Sequence, residues 1–384
     1  MNTDAPVDLA RYGEDGFGAA TVERFVREKQ VGEGTFGYGC CFILFLLPGG
    51  DLRPVLRCSD VFKARDKATG ESVALKKIRT ENEKEGFPIT ALREIRCLKQ
   101  CLGHPNVVTL KEVVTSRLAD YNAGRGNVYL VFEYMDHDLH GLLSSNHQHA
   151  FTLPQVKCYM RQLLEGLHHL HKMKLIIHRD LKGSNLLVNN KGELKITDFG
   201  MSRFYNKNPE LRDYTTRVVT VWFRAPELLF GDEKYGPAVD IWSAGCILAE
   251  LLTRKPLFTG ADELRVMDRI TEVCGTPTNE VWPDVQQLKH YNILIGSNPL
   301  RPDQLDEELQ RRKCDPIGAA LLKKMLIFNP EKRIIAEDAL HDDFFWKEPL
   351  PCTPKEMPIF PSAHEFEVRR EKSAQQAARK KQRV

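Results

Sequence analysis

Short runs rich in β-branched and aromatic residues crowd the first third of the chain. FVREKQV, DVFKARD, ESVALKKI, VVTLKEVV and NVYLVFEY, between residues 25 and 134, predict strands. One segment among them, ITALREIRCLKQCL, repeats its apolar residues at helical intervals and predicts a helix from residue 89. Beyond Met135 the pattern changes to helices. Residues 154–173 and 316–328 are amphipathic, and IWSAGCILAELL is apolar nearly all round, as suits a helix buried within a lobe. The expected fold class is therefore α+β and bilobal, with a small β-rich N-lobe over residues 22–135 and a larger helical C-lobe over 136–346. Residues 1–21 read as a loose leader, and 347–384 as a Pro-rich and then basic tail.

Composition narrows the class. The 384 residues are 42% apolar and 28% charged, enough to bury a large core. Net charge is +3, but residues 369–384 alone carry seven Lys/Arg against one Glu, so basicity belongs to the tail. The body is then no general nucleic-acid binder. That tail is read evenly as a nuclear-import signal or a solvated helix end. No CxxC pair of zinc type occurs among the ten cysteines, the N-terminus lacks a secretory pattern, and the apolar run Cys40–Leu47 is too short to span a membrane.

Several motifs carry chemistry. In GEGTFG, Gly32, Gly34 and Gly37 would let backbone N–H groups approach phosphate oxygens closely. Lys76, in VALKKI, could place a cation on a polyphosphate, and Glu94 on the following helix is its candidate partner. Taken singly, each is as readily a turn, a snorkelling lysine or a solvated carboxylate. HRDLKGSN is sharper: Asp180 can accept a hydroxyl proton, Lys182 can neutralise a transferring phosphoryl group, and Asn185 offers oxygen to Mg²⁺. TDFG follows with Asp198, a second metal-ligand candidate, and RAPE ends at Glu227.

Together these residues resemble a eukaryotic Ser/Thr protein kinase catalytic domain, with ATP and Mg²⁺ as implied cofactors. The resemblance maps the adenine slot onto Val31, Val61, Ala74 and Leu187, and a bulky gatekeeper onto Phe132. It maps the hinge onto Glu133 and Met135, the ribose acid onto Asp138, an APE–Arg ion pair onto Glu227 and Arg333, and a brace for the catalytic loop onto Asp240. PITALRE, Pro88–Glu94, is similar to the cyclin-binding helix of cyclin-dependent kinases of the transcription-elongation type. FEYMDHDLHGLL and the tail PLPCTPKEMP...SAHEF look like the plant C group. This implies a cyclin of T or K type as partner, targets in which Pro follows Ser or Thr, RNA polymerase II C-terminal repeats as leading substrate, and nuclear action. It also maps an activating phosphosite onto Thr215, with Thr216 the alternative, and its receptors onto Arg93, Arg179 and Arg203. Val218 and Val219 would shape the proline pocket.

One segment breaks the pattern. Tyr38–Ser59 separates Gly37 from Asp60, and removing it restores GEGTFG-DVFKARD. A retained intron and a genuine insertion both account for it. Lengthening that turn costs about 1–2 kcal/mol of loop entropy, so the fold survives, but phosphate cover by the glycine turn should suffer. Two rival functions follow: a cell-cycle cyclin-dependent kinase, and a catalytically impaired cyclin-binding isoform.

Overall fold

The five β-rich runs form one antiparallel sheet in the order β1-β2-β3-β5-β4. Its strands are β1 (Phe25–Glu33), β2 (Asp60–Asp66), β3 (Ser72–Ile78), β4 (Leu110–Thr115) and β5 (Val128–Glu133), and α1 (Ile89–Gln100) intervenes between β3 and β4. The structure is a computed structural model, which describes residues 21–33, 60–78, 88–116, 127–144, 151–216, 218–296, 299–362 and 364–370. Residues 1–20 of the leader, Gly34, Gly37, Tyr38–Ser59 and the basic tail beyond Arg370 therefore lie outside the described residues.

Side-chain alternation sets the sheet's register. Phe25, Ala64, Val73, Leu75, Val114, Tyr129 and Val131 are buried together on one face. The other face receives α1, whose Ala91, Glu94, Cys97 and Leu98 turn inward. Pairings Gly32↔Val61, Val61↔Lys76, Lys63↔Ala74 and Ala74↔Phe132 carry the glycine strand, the lysine strand and the gatekeeper across adjacent strands.

After β5 the chain passes through β6 (His137–Asp138) and α2 (Leu139–Ser144) into α3 (Leu153–His168), which opens with a Thr152/Gln155 capping box. The helix expected to run to residue 173 does so, but His169–Met173 widen into a π turn. Small hairpins follow: β7 (Ile176–Ile177) pairs with β10 (Arg203–Phe204), while β8 (Leu186–Val188) joins β6 to β9 (Leu194–Ile196). The helical lobe is completed by α4 (Pro226–Leu229), α5 (Ala238–Thr253), α6 (Glu263–Cys274), α7 (Tyr291–Leu294), α8 (Leu305–Arg311), α9 (Pro316–Met325), α10 (Ala336–Leu340) and α11 (Asp343–Trp346). The all-apolar run lies in α5, buried from Val239 to Leu251 as its composition requires.

Beyond Trp346 the tail does not trail away. Buried Lys157 on α3 donates to the Lys347 and Pro349 carbonyls at 2.8 and 2.7 Å, and the Cys352 N–H donates to the Pro154 carbonyl at 3.2 Å. The chain then returns toward the hinge. Described residues contain no helix long and apolar enough to cross a membrane.

Candidate active site

Lys76 follows buried Val73 and Leu75 on β3 and, by the two-residue repeat of a strand, points to the face opposite them, into the interlobe cleft. Its Nζ reaches Glu94 Oε1 at 2.8 Å and Asp198 Oδ1 at 3.0 Å. Burial alone would pull this ammonium down, but the Asp198 and Glu94 carboxylates outweigh it and hold it above the ordinary lysine value. Burial likewise opposes ionisation of Asp198, yet Lys76, Lys182 and His178 keep it below the usual carboxylate range. Glu94 moves the other way, raised by burial and by the Asp198 charge. Lys76 thus sits between the two carboxylates, meeting both oxygens of Glu94 at 2.8 and 3.0 Å and one of Asp198 at 3.0 Å.

The catalytic loop is built around Asp180. Its Oδ2 accepts Lys182 Nζ at 3.1 Å and Asn185 Nδ2 at 3.0 Å, and its Oδ1 accepts the Thr220 N–H at 3.3 Å. Asn185 Nδ2 also donates to the Asp180 carbonyl at 2.7 Å, so its Oδ1 is the atom left for a cation. Asp198 sits at φ 63°, a left-handed position at the end of the β9 segment. The Thr197 N–H donates to the Asn185 carbonyl at 3.0 Å, and His178 Nε2 lies 2.8 Å from the Thr197 carbonyl. The loop and the segment carrying Asp198 are therefore stitched together, with Lys182 acting on both acids.

Asp240 braces this loop from below. It accepts the His178 and Arg179 N–H groups at 2.8 and 2.9 Å and faces His171 Nε2 at 2.8 Å. The Arg333 guanidinium and Glu227 carboxylate meet at 2.7 and 2.9 Å with both side chains fully buried.

Of the residues expected to line a nucleotide slot, Val31, Phe132 and Met135 are buried, while Val61, Ala74, Leu187 and Glu133 are half-buried. Asp138 pairs in register with Leu187. Its Oδ1 accepts the Gly141 N–H at 2.7 Å and its Oδ2 accepts the Glu365 N–H, also at 2.7 Å. The tail thus lies on the acid expected beside a ribose.

Near the activation segment, Arg203 is pushed down to about 10 by burial and then by its neighbours Arg179 and Arg93, which places the three cations together. Arg179 Nη1 donates to the Tyr235 hydroxyl at 2.6 Å, which donates to the Thr215 carbonyl at 2.8 Å. Thr215 is exposed. Four participants escaped the sequence reading: His171, His178, Tyr235, and Lys195, whose Nζ lies 2.9 Å from Glu133 Oε1. Of these, only His178 sat inside a motif, HRD, that could have flagged it.

A fold and cleft of this kind define a protein kinase. The protein kinase domain family matches residues 57–345, beginning beyond most of the extra segment. Cyclin-dependent kinase C-2 of Arabidopsis thaliana is 45% identical over 92% of the chain, which spans 65% of that protein's length. Human cyclin-dependent kinase 9 is 42% identical over 88% of the chain and 84% of its own length. The yeast RNA Pol II CTD kinase CTDK-1 complex contains a chain with 39% identity and a TM-score of 0.69, covering 77% of this chain and 92% of that one. The chain belongs to the protein kinase family and, within it, to the cyclin-dependent kinases.

Proposed function

We propose that this chain is an ATP- and Mg²⁺-dependent Ser/Thr kinase, switched on by a cyclin and directed to hydroxyls followed by proline. The convergence of Asp180, Lys182 and Asn185 on the cleft that holds Lys76, Glu94 and Asp198 carries the reading. Lys76, fixed by Glu94, would bind the α/β-phosphates. Asp180 would orient the substrate hydroxyl and take its proton, and Lys182 would stabilise the transferring group. Asp198 and Asn185 would hold the magnesium, which supplies charge neutralisation on the triphosphate. Among the described residues no three His, Cys, Asp or Glu cluster as a self-sufficient metal cage. Two oxygen donors suit an ion that takes the rest of its shell from phosphates and water. Val31, Val61, Ala74, Phe132, Met135 and Leu187 would enclose adenine, with backbone groups of Glu133 and Met135 along the hinge.

Proline direction has its own support. Val219 is buried at φ 66°, and its carbonyl accepts Arg224 Nη2 at 2.9 Å. A residue following the target hydroxyl would find that acceptor taken, so its N–H would stay unpaired; proline has none. The partner surface is α1, which presents exposed Ile89 at its start. A T- or K-type cyclin and polymerase C-terminal repeats are the partner and substrate we assign. Similarity to cyclin-dependent kinase 9 and to the yeast RNA Pol II CTD kinase supports a cyclin partner and a polymerase substrate in general, and nuclear action with them. Phosphate on Thr215 would join Arg93, Arg179 and Arg203, tying α1 to the catalytic loop and activation segment.

The test is phosphotransfer to a Ser-Pro polymerase-repeat peptide and to its Ser-Ala counterpart, with T-, K- or cell-cycle cyclins. Asp180→Asn should cut turnover by about 10²–10⁴-fold while nucleotide binding persists. Equal rates on the Ser-Pro and Ser-Ala peptides would refute the proline assignment.

A further inference from the structure

The sequence holds two Thr-Pro pairs and no Ser-Pro pair. Thr276 is half-buried, its hydroxyl accepts the Arg301 N–H at 2.9 Å, and Pro277 behind it is buried. Thr353 is different: Thr353, Pro354, Lys355 and Glu356 are all exposed. We propose that Thr353 is a phosphoacceptor for a second copy of this kinase, and that its phosphate releases the tail from the hinge. The proposal rests on the proline-directed reading above.

The tail forms a strap with several attachments. Cys352 is tied to Pro154, and Met357 is buried against the main core. The Phe360 N–H donates to Asn190 Oδ1 at 3.1 Å, and the Glu365 N–H to Asp138. Glu367 meets Lys29 of β1 at 2.6 Å. Because Asp138 stands at the nucleotide slot, the strap joins both lobes beside it.

Thr353 governs one attachment. Its backbone N–H and hydroxyl donate to Glu356 Oε2 at 2.6 and 2.8 Å, closing a capping box over the Pro354–Glu356 turn. Its backbone is extended, at φ −78° and ψ 157°, the form an acceptor takes in a kinase cleft. Cys352 and Met357, pinned on either side, mean that the cleft reaches Thr353 only when this stretch lifts. Modification therefore samples the detached tail. In the transfer, a bond forms between Thr353 Oγ1 and the γ-phosphorus as the bond to the β-phosphate bridging oxygen breaks. ADP leaves, and the hydroxyl proton passes to Asp180 of the modifying copy and on to solvent. The product has lost the hydroxyl donor and carries about −1.5 to −2 charges beside the Glu356 carboxylate, so the box cannot close again. Detachment is then favoured by whatever the phosphate costs the docked form.

The experiment incubates active, cyclin-bound enzyme with the full-length Asp180→Asn chain, ATP and Mg²⁺, then maps phosphate by mass spectrometry. Phosphate should appear at Thr353 of the inactive chain and vanish in Asp180→Asn/Thr353→Ala. Amides of Cys352 and Glu365 should then exchange hydrogen at least about tenfold faster. A polymerase-repeat peptide phosphorylated while Thr353 stays clean overturns the inference and leaves the proline-directed reading standing; failure on both overturns both. A phosphorylated Thr353 with unchanged exchange overturns the release.

Discussion

Arg333 and Glu227 sit 106 residues apart in sequence, yet share two charge-assisted hydrogen bonds with no solvent on either side chain. Arg333 also donates to the carbonyls of Ile327, Ala238 and Phe328, so its donors are well satisfied. Removing one partner strands the other charge, and Arg333→Met or Glu227→Gln should each cost about 3–5 kcal/mol in urea unfolding. The double variant Arg333→Met/Glu227→Leu should recover part of that loss, since it leaves no unpaired charge but still withdraws a donor from the Ile327, Ala238 and Phe328 carbonyls. His104 tests pH at a single ring. It stacks on His169 at 4.2 Å, and its Nδ1 accepts the Asn106 N–H at 3.2 Å, which requires the neutral form. Burial, then the neighbouring His169, His168 and Lys195, push it down to about 4 from 6.5. Between those values the unfolded chain binds a proton that the fold refuses, so stability falls as pH drops from about 6.5 toward 4. His104→Asn keeps an acceptor for Asn106, and its melting temperature should fall less steeply over that window. His137 and His169, also lowered by burial, leave some slope behind.

At the scale of elements, β1 and β2 make the sharpest case. Their ends pair directly, Glu33 with Asp60, so residues 34–59 leave and re-enter the sheet at adjacent points. Strand pairing therefore needs nothing from Tyr38–Ser59. Deleting residues 38–59 should change stability by only about 1–2 kcal/mol, because loop entropy grows slowly with length. Phosphotransfer with cyclin should rise several-fold or more, because a short glycine turn can close over the phosphates; equal rates for the two chains would discard the claim that the segment impairs catalysis. The five strands and α1 were readable because alternation and helical spacing each report one buried face. Asp180, Asn185, Asp198, Lys76 and Glu94 were readable because their spacing in motifs is unusual. The strap was not. Many of its attachments join single groups far apart in sequence, such as the Glu365 N–H to Asp138 across 227 residues, and no periodicity announces such a bond. Tyr235 and Lys195 were missed for the same reason: each acts on a partner distant in sequence.

Across the whole molecule, the lobes must hold nucleotide and hydroxyl in one geometry while meeting at a thin hinge. Glu133 is where this is resolved. Its Oε1 accepts the Thr109 N–H at 2.7 Å, its own N–H donates to the Thr109 carbonyl at 3.2 Å, and Lys195 reaches the same Oε1 from β9. Lys195 lies three residues before Asp198, so one ammonium links the proposed hinge to the segment that carries the proposed metal ligand. Its head is charged and its surroundings are largely buried, a setting in which such a bond contributes about 1.5–3 kcal/mol. The expectation is that part of that contribution holds the proposed hinge in the form that binds nucleotide, so that losing Lys195 should lower the binding population. Lys195→Met should therefore raise the KM for ATP several-fold, with tenfold corresponding to about 1.4 kcal/mol, while kcat at saturating ATP changes much less. Lys195→Arg keeps the cation and should restore most of the affinity. A fall in kcat with unchanged KM, not rescued by Arg, would place Lys195 in general lobe stability instead of hinge positioning.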